Sequence, residues 1–268
     1  MKKLDYEVKG KDIILHQPDF DLDETLDCGQ AFRWVRNGDA YSGFALDTPL
    51  TVSGKDGRFV FYDTNEETFL NLWAEYLDLY TDYSEIKKRL SQDETLACAC
   101  EFAPGIRLIK QDSWEALCSF IISQNNNIPR IKGIISRLCE HYGHFPSYGE
   151  LANETPQSLA FLRAGFRAKY LVDAAQKLFN KQIDLDVLKT APIDEARRSL
   201  MTITGVGPKV AECALLYGMY RTEVFPVDVW IKRVMENYYP DGLPECTKGI
   251  EGIAQQYLFH YIRHLDNS

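Results

Sequence analysis

Gly205-Val206-Gly207-Pro208 is a tight turn set between two stretches whose apolar residues recur at helical spacing. Leu200 and Ile203 stand before it, and Val210, Ala211, Ala214 and Leu215 follow. Two helices joined by so short a turn must fold back on each other, so the pattern predicts a helix–hairpin–helix. Glycine suits the turn because it tolerates positive φ and lets a phosphate approach bare backbone. The amides that open the second helix then face outward at the positive end of its dipole, where an anion binds. Gly205 and Gly207 are therefore candidate contacts to a nucleic-acid backbone.

Lys209 opens the second helix, and Asp228 lies downstream in Pro226-Val227-Asp228-Val229. A lysine at a helix N-terminus sits on the repulsive side of the macrodipole, which favours its neutral, nucleophilic amine. Asp228 precedes the apolar-rich run Val229-Trp230-Ile231-Lys232-Arg233-Val234-Met235 and reads as an N-cap, its carboxylate held by backbone amides. A glycine hairpin by itself fits a non-catalytic DNA-binding module equally well. Lys209 and Asp228 together shift the reading toward catalysis.

The 268 residues, 45% of them hydrophobic, suit one to three compact modules. A net charge of −9 excludes a uniformly basic nucleic-acid binder. Any DNA footprint must be a local basic face, with Lys132, Arg167, Lys169, Lys209, Lys232 and Arg233 as contributors, although each alone reads as a solvated charge. Seven cysteines, an odd number set mostly in apolar segments behind no secretion signal, point to reduced thiols in the cytoplasm or nucleoid. Cys98-Ala99-Cys100 has no second pair to complete a metal site, so no metal or cofactor is expected. No apolar run approaches membrane-spanning length, and a monomer is expected.

The texture of the chain changes once. Up to about residue 63, short β-rich runs alternate with turn dipeptides: Gln30–Val35 before Asn37-Gly38, and Arg58–Tyr62 after Asp56-Gly57. From Glu66 onward the apolar period is helical, over Phe69–Tyr80, Trp114–Ile122, Ile131–Tyr142, Ala168–Phe179, Ile193–Thr202, Lys209–Tyr220 and Gly249–Arg263. Pro104-Gly105 is a plausible seam. The expected fold is α+β, with an N-terminal antiparallel sheet domain with flanking helices (1–104) packed on a helical body (105–268) of two subdomains around an active-site cleft.

Ser119–Arg130 contains three consecutive asparagines, Asn125-Asn126-Asn127, before Ile128-Pro129-Arg130. Asparagine tolerates left-handed geometry and caps helices, so the run predicts a helix end and turn. Taken with Cys28-Gly29-Gln30-Ala31-Phe32-Arg33-Trp34, Gly165-Phe166-Arg167-Ala168-Lys169-Tyr170, the hairpin with Pro226-Val227-Asp228, and Ala254-Gln255-Gln256-Tyr257-Leu258-Phe259, it resembles one branch of the helix–hairpin–helix DNA glycosylases. That branch is the 8-oxoguanine DNA glycosylase/AP lyase of eukaryotic type. The likeness covers nearly the whole chain, sheet domain included.

The resemblance implies a bifunctional base-excision enzyme acting on double-stranded DNA that carries 8-oxoguanine or an abasic site. It makes Lys209 the Schiff-base nucleophile and Asp228 the catalytic aspartate. Gly29 matches the carbonyl that accepts the lesion's N7–H, and Gln255 the amide on its Watson–Crick edge. Phe259 and Cys213 match the pair that sandwiches the base, and Pro226 joins them in base recognition. Asn125, Arg130 and Arg167 match the contacts to the orphaned cytosine. Phe166 stands where eukaryotic members usually have a tyrosine wedge, and Trp230 where they usually have a phosphate-contacting histidine. The residues by themselves leave two alternatives, another damaged-base glycosylase on the same scaffold or the non-catalytic hairpin module. The spacings are consistent with the roles, since Lys209 with Cys213 and Gln255 with Phe259 each share a helix face.

Overall fold

The computed structural model describes residues 3–265. Strands β1 (Asp5–Lys9), β2 (Asp12–His16), β3 (Val35–Asn37), β4 (Ala40–Ala45), β5 (Thr48–Lys55) and β6 (Arg58–Tyr62) form one antiparallel sheet, in the order β1-β2-β6-β5-β4-β3. The helices are α1 (Leu22–Leu26), α2 (Glu66–Thr68), α3 (Ala74–Tyr76), α4 (Tyr83–Leu90), α5 (Glu94–Phe102), α6 (Ser113–Ser123) and α7 (Ile128–Tyr142). They continue with α8 (Tyr148–Leu151), α9 (Arg167–Phe179), α10 (Leu185–Leu188), α11 (Ile193–Leu200), α12 (Pro208–Met219), α13 (Val229–Tyr238) and α14 (Glu251–Leu265). The sequence texture places the seam at Pro104-Gly105. By internal contact, one compact unit runs to Lys110 and resumes at Val227, and the other spans Gln111–Pro226.

In the first unit the sheet buries one face. Leu50 and Val52 of β5 and Phe59 and Phe61 of β6 alternate with exposed or half-buried neighbours and join Ile13 and Leu15 of β2 in the core. Asp56 and Gly57 turn the β5–β6 hairpin with φ of +52° and +80°, the left-handed pair that a two-residue hairpin needs. The helical run expected from Phe69 is interrupted, because Phe69–Trp73 winds as a wider π-type segment between α2 and α3. Trp34, fully buried, stands edge-on to Trp73 and donates to the Tyr76 hydroxyl at 3.0 Å. Gly43 makes room for it, since a Cβ there would lie 2.5 Å from the indole.

One expected strand is not a strand. Of Gln30–Val35 only Val35 enters the sheet, and Gln30, Ala31, Phe32 and Trp34 are all buried. A strand with one covered face would have to alternate. The Gln30 amide instead takes over pairing that strand backbone would provide. Its Nε2 donates to the Arg107 carbonyl at 2.7 Å and the Thr25 carbonyl at 2.9 Å, and its Oε1 accepts from Ile109 N–H at 2.9 Å. Residues 28–34 are thereby a buried loop locked to 107–109.

The second unit is helical. α6 is buried along almost its whole length and packs against α12, where Gly218 allows the approach: a Cβ would lie 2.9 Å from the Ala116 methyl. α11, residues 201–207 and α12 form the expected helix–hairpin–helix. Among the described residues no helix is long and apolar enough to cross a membrane. All seven cysteines are free.

Glu24 in α1 carries a pH dependence. Its Oε2 accepts from Gly105 N–H at 2.7 Å, yet burial raises its pKa to about 7. A carboxyl with a folded pKa above its unfolded one favours the native state most below the unfolded value, and that advantage is lost as pH rises through about 7. Glu24→Gln keeps an acceptor and removes the charge. Its urea midpoint should match wild type near pH 5 and exceed it near pH 8, and a constant difference across that range would contradict the assignment.

Candidate active site and nucleic-acid interface

In the second unit, Gly207 is the N-cap of α12 and offers no side chain to it, and Pro208 takes the first helical position, where a missing N–H costs nothing. Lys209 is half-buried on the first turn, its amine 5.3 Å from the centre of the Phe120 ring, which stacks on Tyr217 at 5.0 Å. Among the described residues of this unit no carboxylate pairs with that amine. Cys213 lies buried one turn on, and Pro226 is buried where the unit ends.

The hairpin is shaped by α9. Asp173 Oδ2 accepts from Thr204 N–H at 2.7 Å, and Lys177 donates to the Thr202 carbonyl while lying 3.5 Å from Asp173. Tyr170 presses on Gly205, where a Cβ would lie 2.3 Å from the ring, and Gly205 has φ +77°. The amides of α12 are thus left uncapped at the end of a rigid turn.

The N-terminal end of α9 meets the asparagine run. Asn125 is exposed at φ +49°, the left-handed conformation that asparagine tolerates, and Asn127 caps α7 by accepting from Arg130 N–H at 3.0 Å. Arg130 is exposed. Arg167 is not: only 4% exposed, it donates Nε to the Gln124 carbonyl at 2.7 Å, Nη1 to Ala164 at 3.1 Å and Nη2 to Asn125 at 3.2 Å. Burial, and then the charge of Arg130, lower its pKa from the ordinary arginine value. In this conformation Arg167 holds the asparagine turn. Phe166, 46% exposed, lies between the Arg167 guanidinium and the Tyr170 ring.

In the first unit, Asp228 caps α13: Oδ1 accepts from Trp230 N–H at 3.0 Å and Ile231 N–H at 2.9 Å. Both amides converge on one oxygen, so the cap leaves Oδ2 uncommitted. Trp230 is half-buried, with the Arg233 guanidinium 5.0 Å from its ring. Gly29 sits at φ +92° in the loop that Gln30 anchors. That loop is tied to α14 by Gln256, whose Nε2 donates to Cys28 Sγ at 3.0 Å, and by Arg263, which donates to the Cys28 carbonyl at 3.4 Å. Gln255 is buried on α14, and Phe259 is half-buried with the Arg263 guanidinium 5.1 Å from its ring.

Residues 12–117 match the N-terminal domain of 8-oxoguanine DNA glycosylase, and residues 118–245 the HhH-GPD superfamily of base excision DNA repair proteins. The chain is 36% identical to a Saccharomyces cerevisiae N-glycosylase/DNA lyase, over 85% of this chain and 70% of the yeast protein. It belongs to the 8-oxoguanine DNA glycosylase family. Two solved structures are similar over nearly the full length. One is a protein named MBOgg1 in complex with a low affinity DNA ligand, at TM-score 0.92 and 41% identity, covering 99% of this chain and 100% of that one. The other is the Clostridium acetobutylicum 8-oxoguanine glycosylase/lyase with double-stranded DNA containing cytosine opposite 8-oxoguanine, at TM-score 0.90 and 37% identity, covering 99% of both chains. A 3-methyladenine DNA glycosylase of Archaeoglobus fulgidus, 16% identical, shares the fold at TM-score 0.72.

Within this family setting, several residues around the sites are given no individual role by the sequence. Phe120 and Tyr217 back Lys209, Asp173 and Lys177 hold the hairpin, and Gln256 and Arg263 hold the Gly29 loop. The Asp173–Lys177 pair has the i, i+4 spacing of an ordinary helix-surface ion pair, and nothing in that spacing names the hairpin as its partner.

Gly205→Ala adds both a left-handed penalty and a collision with Tyr170. Together these should cost about 2–4 kcal/mol. Denaturant unfolding of the variant checks it, and a loss near zero would show that the turn is not held as described.

Proposed function

We propose that the protein excises 8-oxoguanine from duplex DNA and nicks the strand at the resulting site, as a bifunctional glycosylase/AP lyase of base-excision repair. Lys209 carries the reading: a lysine on the first turn of a helix whose preceding hairpin is glycine-capped, rigid and open to an anion. Family membership supports it, as do the two full-length structural relatives, both of them complexes with DNA.

The uncapped α12 amides, with Gly205 and Gly207 leaving the backbone bare, hold a phosphate of the damaged strand. The target nucleotide rotates out of the stack, at a cost of about a few kcal/mol. Phe166 and Asn125 occupy the space it leaves, and Arg130 reaches the orphaned base. Arg167 acts with them by keeping the Asn125 turn in place, and it reads the base directly once those carbonyl bonds are released. Trp230 contacts the backbone. Gly29 offers its carbonyl to the N7–H that 8-oxoguanine has and guanine lacks. Gln255 reads the Watson–Crick edge, and Phe259, Cys213 and Pro226 supply apolar surface to the base.

Chemistry follows at the sugar. The Lys209 nitrogen attacks C1′ as the glycosidic bond breaks, and the bonding electrons leave with the base. Asp228 Oδ2, left open by the cap, faces the cationic sugar as charge develops. The adduct opens to a Schiff base, loss of the C2′ proton expels the 3′ phosphate by β-elimination, and hydrolysis frees Lys209. The substrate locates the protein wherever chromosomal DNA is kept.

Lys209→Gln should retain binding to lesion-containing duplex yet neither excise the base nor give a borohydride-trapped adduct. Trapping by that variant would remove Lys209 from the mechanism. Asp228→Asn keeps a capping oxygen, so stability should fall by about 1 kcal/mol or less. Its single-turnover excision should fall by about 100-fold or more. A rate within a few-fold of wild type would leave Asp228 a cap only.

A further inference from the structure

Gly29 has no side chain to hold it, and a glycine at φ +92° turns its peptide planes more freely than other residues do. A flip of the Gly29–Gln30 peptide would replace the carbonyl with the Gln30 N–H, a donor suited to the bare N7 of ordinary guanine. One peptide plane therefore separates a lesion reader from a guanine reader.

The loop is held through the residue before it. Arg263 donates to the Cys28 carbonyl at 3.4 Å, which fixes the peptide that enters Gly29. The Cys28 sulfur accepts from Gln256 Nε2 at 3.0 Å, and its S–H faces the Thr25 carbonyl at 3.3 Å. Cys28, Gln30 and Gln256 are each 2% exposed or less. Burial pushes the thiol up to about 12, so it keeps the proton it offers Thr25. Gln256 neighbours Gln255 on α14, so one hydrogen bond joins the loop carrying the carbonyl to the helix carrying the edge-reading amide.

We propose that Cys28 is a positioning residue for base recognition: its sulfur, anchored by Gln256, ties the loop to α14 and so keeps the Gly29 carbonyl aimed at N7 of the extruded base. This rests on the reading of Gly29 as the acceptor for the lesion's N7–H. The thiol touches neither base nor sugar.

The test compares wild type, Cys28→Ala, Cys28→Ser and Gln256→Leu in single-turnover excision from an 8-oxoguanine·cytosine duplex and in incision of an abasic duplex, which has no base to read. Cys28→Ala should lose roughly tenfold or more in 8-oxoguanine excision relative to abasic incision, the scale of one lost buried hydrogen bond. Cys28→Ser, whose hydroxyl accepts as well, should recover most of that ratio. Gln256→Leu should show a smaller loss in the same direction, and it keeps the test open if Cys28→Ala does not fold. An unchanged ratio in both Cys28→Ala and Gln256→Leu, or a parallel fall of the two reactions, overturns the positioning role. Wild type that incises abasic DNA but leaves 8-oxoguanine in place gives a different pattern and overturns the proposed substrate, and the positioning role with it.

Discussion

The first unit is organised around a buried cation. Arg107 is fully shielded from solvent, and its guanidinium pairs with Asp19 at 3.0 Å, donates to the Asp78 and Thr81 carbonyls at 2.9 and 3.1 Å, and lies 4.4 Å from the Tyr83 ring centre. A charge so placed is tolerable only while its partners remain, and removing one side of such a pair costs about 3–5 kcal/mol. Its backbone is committed too: its N–H reaches Thr25 Oγ1, and its carbonyl receives the Gln30 amide. The loop with Gly29 therefore takes its place from a network of buried polar contacts centred on this ion pair.

α9 has the corresponding role in the second unit. Its first turn carries Phe166 and Arg167 beside the asparagine run, while Tyr170, Asp173 and Lys177 along it shape the glycine hairpin. One helix thus sets the separation between the residues proposed to probe the duplex and those proposed to grip its backbone. A rigid rod suits this, because helix rise fixes distance more tightly than a loop does.

The acidic composition is reconciled with DNA binding by placement. Arg130 and Lys169 are exposed near the asparagine turn, and Lys209 has no acidic partner within its unit. Many other cations are neutralised where they stand: Arg197 pairs with Glu212 at 3.0 Å, Arg221 with Glu223 at 2.6 Å, and Lys110 with Asp78 at 2.8 Å. Net charge measures the sum, whereas a phosphate meets the unpaired remainder.

The helix–hairpin–helix was legible in the sequence because it is local: glycine tolerance, a proline at the first helical position and apolar period all act within a few residues. The Asp228 cap was legible for the same reason, as was the turn at Asp56-Gly57. The run Gln30–Val35 misled because β-rich composition describes both a strand and a buried loop, and only the Gln30 amide bonds to residues about eighty positions away choose between them. Arg167 reads as a solvated basic residue until its carbonyl partners are seen. Cys28 and Gln256, far apart in the chain, meet only in the fold. The sequence determined the local elements, the candidate nucleophile and the family, since propensity, capping and motif spacing are short-range. Tertiary structure alone decided which polar groups are spent on structure and which stay open, because a hydrogen bond between distant residues leaves no period in the chain.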